Sequence, residues 1–88
     1  GIPTAIFERF QLTGDTTFDA MSAAGMGYIK FLEICQDGIG GHALTWGANF
    51  NGGASMPSGA NACLHQGFVA AGSGAGAIWY AFTAGVTY

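Results

Sequence analysis

The stretch Gln36-Asp37-Gly38-Ile39-Gly40-Gly41-His42-Ala43-Leu44-Thr45-Trp46-Gly47-Ala48-Asn49-Phe50 decides how the chain is read. Leading into it, Tyr28 to Gln36 is apolar on both of its alternating faces. Tyr28, Leu32 and Ile34 share one face; Ile29, Phe31 and Cys35 share the other. A strand apolar on both faces is covered on both faces. After the glycines, His42 to Trp46 reads as a second strand. Between the two, Asp37, Gly38, Gly40 and Gly41 supply a tight turn, because glycine adopts positive φ without steric cost. The expected unit is a β-hairpin.

Working outward, Ile6 to Leu12 alternates as a strand, with Phe10, Leu12 and Glu8 on one face and Phe7, Arg9 and Gln11 on the other. Thr13-Gly14-Asp15 turns the chain into a short strand, Thr16 to Phe18. Ala20 to Gly27 is too short to nucleate a helix and reads as a loop with one helical turn, Asp19 standing as its cap. Asn49 to Gly59 is a loop containing Pro57, which cannot donate to a ladder. Asn61 to Val69, Ala77 to Ala84 and Val86 to Tyr88 are strand sequences, the first two separated by the small-residue turn Ala70 to Gly76. Short strands punctuated by glycine predict one all-β domain over residues 1–88, a small antiparallel sandwich of jelly-roll type or a barrel. No heptad is present, so no coiled coil holds copies together.

Composition predicts that such copies exist. Of the 88 residues, 50% are hydrophobic and only 8% are charged, against roughly 25% charged in an ordinary soluble domain. A domain of this size hides only about 60–65% of its unfolded surface. Much of the remainder is therefore expected to lie against other subunits, as a homo-oligomer. Arg9 and Lys30 are the only fixed cations and the net charge is −3, which excludes a nucleic-acid partner. The half of the chain after Asp37 carries no charged side chain but is broken by Gly, Pro57, Asn and Gln. No run of about 18 apolar residues exists, so no membrane insertion is expected. Gly1-Ile2-Pro3-Thr4 is not the charged start of a signal peptide. The missing initiator Met points to processing or to a fragment of a longer protein.

Chemistry-bearing groups are few. His42, His65, Cys35 and Cys63 do not stand at metal-ligand spacing, and no metal or other cofactor is expected. Both cysteines read as small buried hydrophobes in the reduced state. Glu8 and Glu33 lie mid-strand and are expected to pair with Arg9 or Lys30 rather than to face each other as a glycosidase pair. Asp15, Asp19 and Asp37 fall in turns, where Asp is ordinary. Gly72-Ser73-Gly74-Ala75-Gly76 lacks the Lys-Ser/Thr of a phosphate loop. No catalytic residue is assigned, and no enzymatic activity is expected. Phe31, Trp46, Trp79 and Tyr80 are expected in the core or an interface; Trp46 and Trp79 are also the residues that would contact a glycan if exposed.

The segment also resembles a motif of small β-rich modules in tailed-bacteriophage virion proteins, those of fibres and appendages especially. In these a strand ends in a Gln-Asp-Gly-x-Gly-Gly-like turn and returns as x-x-x-Thr-Trp-x-x-Asn. The resemblance continues, in order, through the Gly-rich loop Asn51 to Pro57, Ala60-Asn61-Ala62, and Trp79-Tyr80. The chain departs from the pattern where the middle loop lacks a second aromatic and where Ala70 to Gly76 replaces a short Asp-Gly turn. The resemblance implies a structural virion protein, assembled in the host cytoplasm as a homotrimeric fibre or appendage module beside other virion proteins. Its rivals are a capsid decoration protein that stabilises the head and a host-attachment tip that binds a surface glycan.

Overall fold

The computed structural model describes residues 5–18, 23, 25–74 and 76–88. These form eight strands: β1 (Ala5–Leu12), β2 (Thr16–Phe18), β3 (Ile29–Gln36), β4 (Leu44–Trp46), β5 (Phe50–Asn51), β6 (Cys63–Ala70), β7 (Trp79–Ala81) and β8 (Val86–Thr87). No helix occurs among the described residues, so none there is long and apolar enough to cross a membrane. The Asp19 cap and most of the adjoining loop lie outside them; within that loop Ala23 bridges Gly74.

Strand β3 is central because both its edges are used. On one side it runs parallel to β1, Phe7 beside Phe31 and Arg9 beside Glu33. On the other it runs antiparallel to β6, Phe31 beside Gly67 and Cys35 beside Cys63. The free edge of β6 is shared. β7 pairs with Phe68 to Ala70, and β8 pairs with Leu64 and His65. The register slips between these halves. Continued from β7 it would set Ala84 against His65, but Val86 stands there instead. The surplus residues form a bulge. Thr83 closes it by accepting the Gly67 N–H at its Oγ1, 3.0 Å away. Gly85 turns it at φ +78°, where a Cβ would lie 2.6 Å from that of Ala54.

Alternation assigns the even-numbered residues of β3 and β6 to one covered face. Leu32, Ile34, Leu64 and Phe68 are fully buried there, and Trp79 joins them. The cover is the two-stranded sheet β2–β4. It lowers Phe18 and Trp46 onto the large sheet, with Trp46 5.1 Å from Phe68 and Phe50 5.3 Å from Phe68, centroid to centroid. Two buried glutamines tie the loops to this face. Gln36 donates to the carbonyls of His42 and Pro57 and accepts the His42 N–H. Gln66 accepts the Ala54 N–H and donates to the Thr83 carbonyl. Neither buried amide is left unpaired, as burial of polar groups requires.

The architecture is all-β, as expected, but three details are corrected. The sheets are mixed rather than antiparallel: β1–β3, β2–β4 and β5–β7 are parallel pairs. The large sheet keeps two separate edges, β1 and β5, and does not close into a barrel. The hairpin between β3 and β4 is absent. Asp37 makes the last bond to β1, its N–H to the Leu12 carbonyl, and the chain then crosses so that β4 pairs with β2. Gly40 and Gly41 take positive φ, +75° and +74°, but Gly41 donates to the Ser58 carbonyl rather than across a hairpin, and Gly38 has no positive φ. The fourth correction is chemical. Cys35 and Cys63 are joined in a disulfide, since the β3–β6 register puts them directly opposite each other.

Candidate interaction surface

The odd-numbered residues of the same strands form a second face of the large sheet, and among the described residues no other sheet covers it. The first row across it is Phe7, Phe31 and Gly67. Gly67 is what lets aromatic rings meet above the sheet. Phe31 and Phe82 pack edge to face over it with centroids 5.6 Å apart. A Cβ at Gly67 would sit 2.9 Å from the Phe82 ring and 3.1 Å from that of Phe31. A neighbouring row on the same face runs through Ile29, Val69 and Tyr80, which are register partners. Phe7, Tyr80, Phe82, Val86 and Tyr88 all remain exposed. An apolar pocket of about 230 Å³ opens on this face, lined by Phe7, Phe31, Leu32 and Val86, with His65, Gln66 and Thr83 as its polar residues.

The second row is charged. Arg9, Glu33, His65 and Val86 stand in register across β1, β3, β6 and β8. Arg9 Nε lies 2.8 Å from Glu33 Oε1. The other carboxylate oxygen receives both His65 Nε2 and the Tyr88 hydroxyl. His65 also packs edge-on against Phe7 at 5.9 Å and Tyr88 at 4.9 Å. The Tyr88 and His65 hydrogen bonds hold the Glu33 carboxyl below its ordinary pKa, with Arg9 adding to the effect. The same Glu33 bond pushes the Tyr88 phenol above its ordinary value. The cluster clasps the C-terminal strand to the sheet.

The glycine-rich loop forms a second prominent feature. Asp37 Oδ1 accepts the N–H groups of Ile39 and Gly40 at 3.0 and 3.1 Å, and His42 Nε2 donates to the same oxygen at 3.0 Å. The Gly40 bond leads in holding Asp37 below its ordinary pKa. Gly41 donates to the Ser58 carbonyl and Asn61 to that of Asp37. Ile39 stands at the apex, 83% exposed.

The residues singled out from sequence are thus dispersed. Trp79 is fully buried, and Trp46 is half-buried with its indole N–H donated to the Ala54 carbonyl at 2.9 Å. Phe31 and Tyr80 lie instead on the open face. The expected ion pairs form within the chain, Glu8 with Lys30 at 2.7 Å and Glu33 with Arg9. Among the described residues no group of three or more His, Cys, Asp and Glu side chains is placed to hold a metal. The Glu33–His65–Tyr88 cluster was missed because its members become neighbours only through the β3–β6–β8 pairing. Their alternate placement on separate strands was the one available signal.

Compared with known proteins, the chain matches no family model, no curated protein and no solved structure.

Proposed function

We propose that the chain is a non-enzymatic structural module of a bacteriophage particle, working by assembly with copies of itself. One observation carries this reading: the large sheet buries one face in its own core and leaves the other open, with Phe7, Tyr80, Phe82 and Val86 exposed on it. A chain with 8% charged residues has little polar surface to offset such a patch. Obligate interfaces are apolar in this way and bury roughly 2,000 Å² or more. The motif resemblance supports a virion setting and a trimer about a fibre or appendage axis. A decoration protein on the head would use the same face against the shell. The Cys35–Cys63 disulfide suits a particle that persists in oxidising surroundings.

Light scattering coupled to size exclusion tests the assembly. The parent chain is expected to be oligomeric at micromolar concentration, and Phe82→Glu with Tyr80→Glu to be monomeric yet folded. A folded monomeric parent overturns the reading. Antibody labelling of intact particles in electron micrographs tests the setting: label along the tail supports a fibre, label over the head a decoration protein, and no label on any particle removes the virion role. The exposed Tyr80 and Tyr88 rings favour a glycan-binding tip as the second reading, since such rings stack on sugars. That reading expects Tyr80→Ala to stay assembled but to lose adsorption to host cells.

A further inference from the structure

We propose that the Ile39 loop of one copy seats in the apolar pocket on the open face of the next, so that copies join head to tail. The inference rests on the self-assembly reading above and specifies which surfaces meet.

Ile39 is 83% exposed, yet its loop is braced from several sides. Asp37 and His42 hold it from within. Gln36 binds its far end to His42 and to the Pro57 carbonyl. Gly40 is wedged so closely that a Cβ there would lie 2.7 Å from the Ala60 nitrogen. A side chain presented on so fixed a loop loses little conformational freedom on docking. Branched apolar residues on floating loops gain nothing comparable.

The pocket suits such a knob. Its walls are Phe7, Phe31, Leu32 and Val86, and its volume of about 230 Å³ accepts a branched four-carbon side chain. Its polar groups are already engaged. Thr83 Oγ1 bonds Gly67 and Gln66, and His65 bonds Glu33. No polar guest is therefore called for. The most exposed charges near the two patches differ in sign. The loop brings the carboxylate of Asp37, and that of Asp15, which accepts the Ala43 N–H at 2.8 Å. Beside the pocket, one register row from Phe7, stands Arg9, paired through Nε with Glu33 yet 71% exposed at its side chain, whereas that of Glu33 is 14% exposed.

A chain cannot fill its own pocket. Ile39 lies beyond the C-terminal end of β3, while the pocket sits over Phe31, about 17 Å back along the strand. Knob and pocket are different patches, so the contact is heterologous; it closes into a ring when the rotation between copies allows, as in a trimer.

The test uses the whole chain with Ile39→Asp, Ile39→Leu, Val86→Asp, and a photo-crosslinking phenylalanine analogue at position 39. Circular dichroism should show all variants folded, since Ile39 and Val86 are exposed. Ile39→Asp and Val86→Asp are expected to raise the dissociation constant of the oligomer at least tenfold, and Ile39→Leu to keep the parent mass. The crosslink is expected in a peptide of another copy containing Phe7, Phe31 or Val86. An oligomeric parent with an equally oligomeric Ile39→Asp overturns the knob but leaves self-assembly standing. A monomeric parent overturns both. Crosslinks confined to any other peptide overturn the knob.

Discussion

Cys63 stands directly across β3 from Cys35, their Cα atoms 4.0 Å apart, at a non-hydrogen-bonded position of the antiparallel pair. Side chains approach most closely at such positions. The backbone of Cys63 is occupied on its other side, exchanging both hydrogen bonds with Tyr88. The disulfide therefore fastens the sheet where three segments meet: the end of β3, the start of β6 and the chain beyond β8.

The bridge closes a loop with a sequence separation of 28. Its removal is expected to cost about 3.5 kcal/mol, from the loop-closure entropy of a chain that long. The intact mass of unreduced protein should fall two hydrogens short of the dithiol, and Cys35→Ala with Cys63→Ala should melt well below the parent. Two alkylatable thiols in unreduced, denatured protein would overturn this.

Two of the three glycines of the Ile39 loop, Gly38 and Gly40, should answer differently to the same substitution. Gly40→Val meets a positive φ and the backbone of Ser58 and Ala60. Left-handed backbone alone costs about 1–2 kcal/mol with a side chain, and the contact adds to it. Gly38→Val has open space and ordinary φ, so its effect should stay within about 0.5 kcal/mol. Thermal melts compare the pair; equal losses would contradict the loop geometry.

Acid should loosen the clasp around Glu33 and the loop around Asp37. Both carboxyls have pKa values depressed in the folded chain. Their contribution is present above the unfolded values near 4 and is lost as pH falls through the lower folded ones. Tyr88 works in the opposite sense. Its raised pKa gives a contribution present below about 10 that disappears as pH rises through the folded value. Denaturation midpoints across pH should show a plateau between these limits. Glu33→Gln should reduce the acid limb to the share of Asp37 and weaken the alkaline one. An unchanged profile would show that the clasp does not contribute.

Trp79→Ala empties a fully buried site and should cost about 3–5 kcal/mol, a large share of a small domain's stability. Trp46→Ala loses ring contacts with Phe18, Phe50 and Phe68 together with its bond to Ala54. Both should fail in folding or assembly by circular dichroism and light scattering. Folded, assembled variants that no longer adsorb to cells would instead assign the indoles to a glycan.

The alternation of β1 and β3 and the position of β6 were legible because they reside in local pattern. Tyr28 to Gln36 was read as doubly apolar, and β3 is accordingly central. Pairing was not legible. The glycine turn suggested that β3 meets β4, and under that assumption Cys63 had no reason to face Cys35, nor His65 to face Glu33. What decides the matter is a side chain, Gln36, whose amide occupies the polar groups of His42 that a hairpin ladder would have used. A buried glutamine beside Asp-Gly resembles any strand end until its partners are seen. The Thr83 bulge escaped notice for the same reason: its hydrogen bonds reach back to Gln66 and Gly67.

The parallel pairings also set a timetable. β1 beside β3, β2 beside β4 and β5 beside β7 each require the chain to travel away and return before any ladder forms. The strand that joins most of the sheet together, β6, follows β1 to β5 in the chain and precedes two of its own partners, β7 and β8. Little can be gained from a local seed, and non-local pairing of this kind is slow. The apolar face of β3 stays without its β6 neighbour until that strand has been made, and the sheet is complete only once β7 and β8 follow.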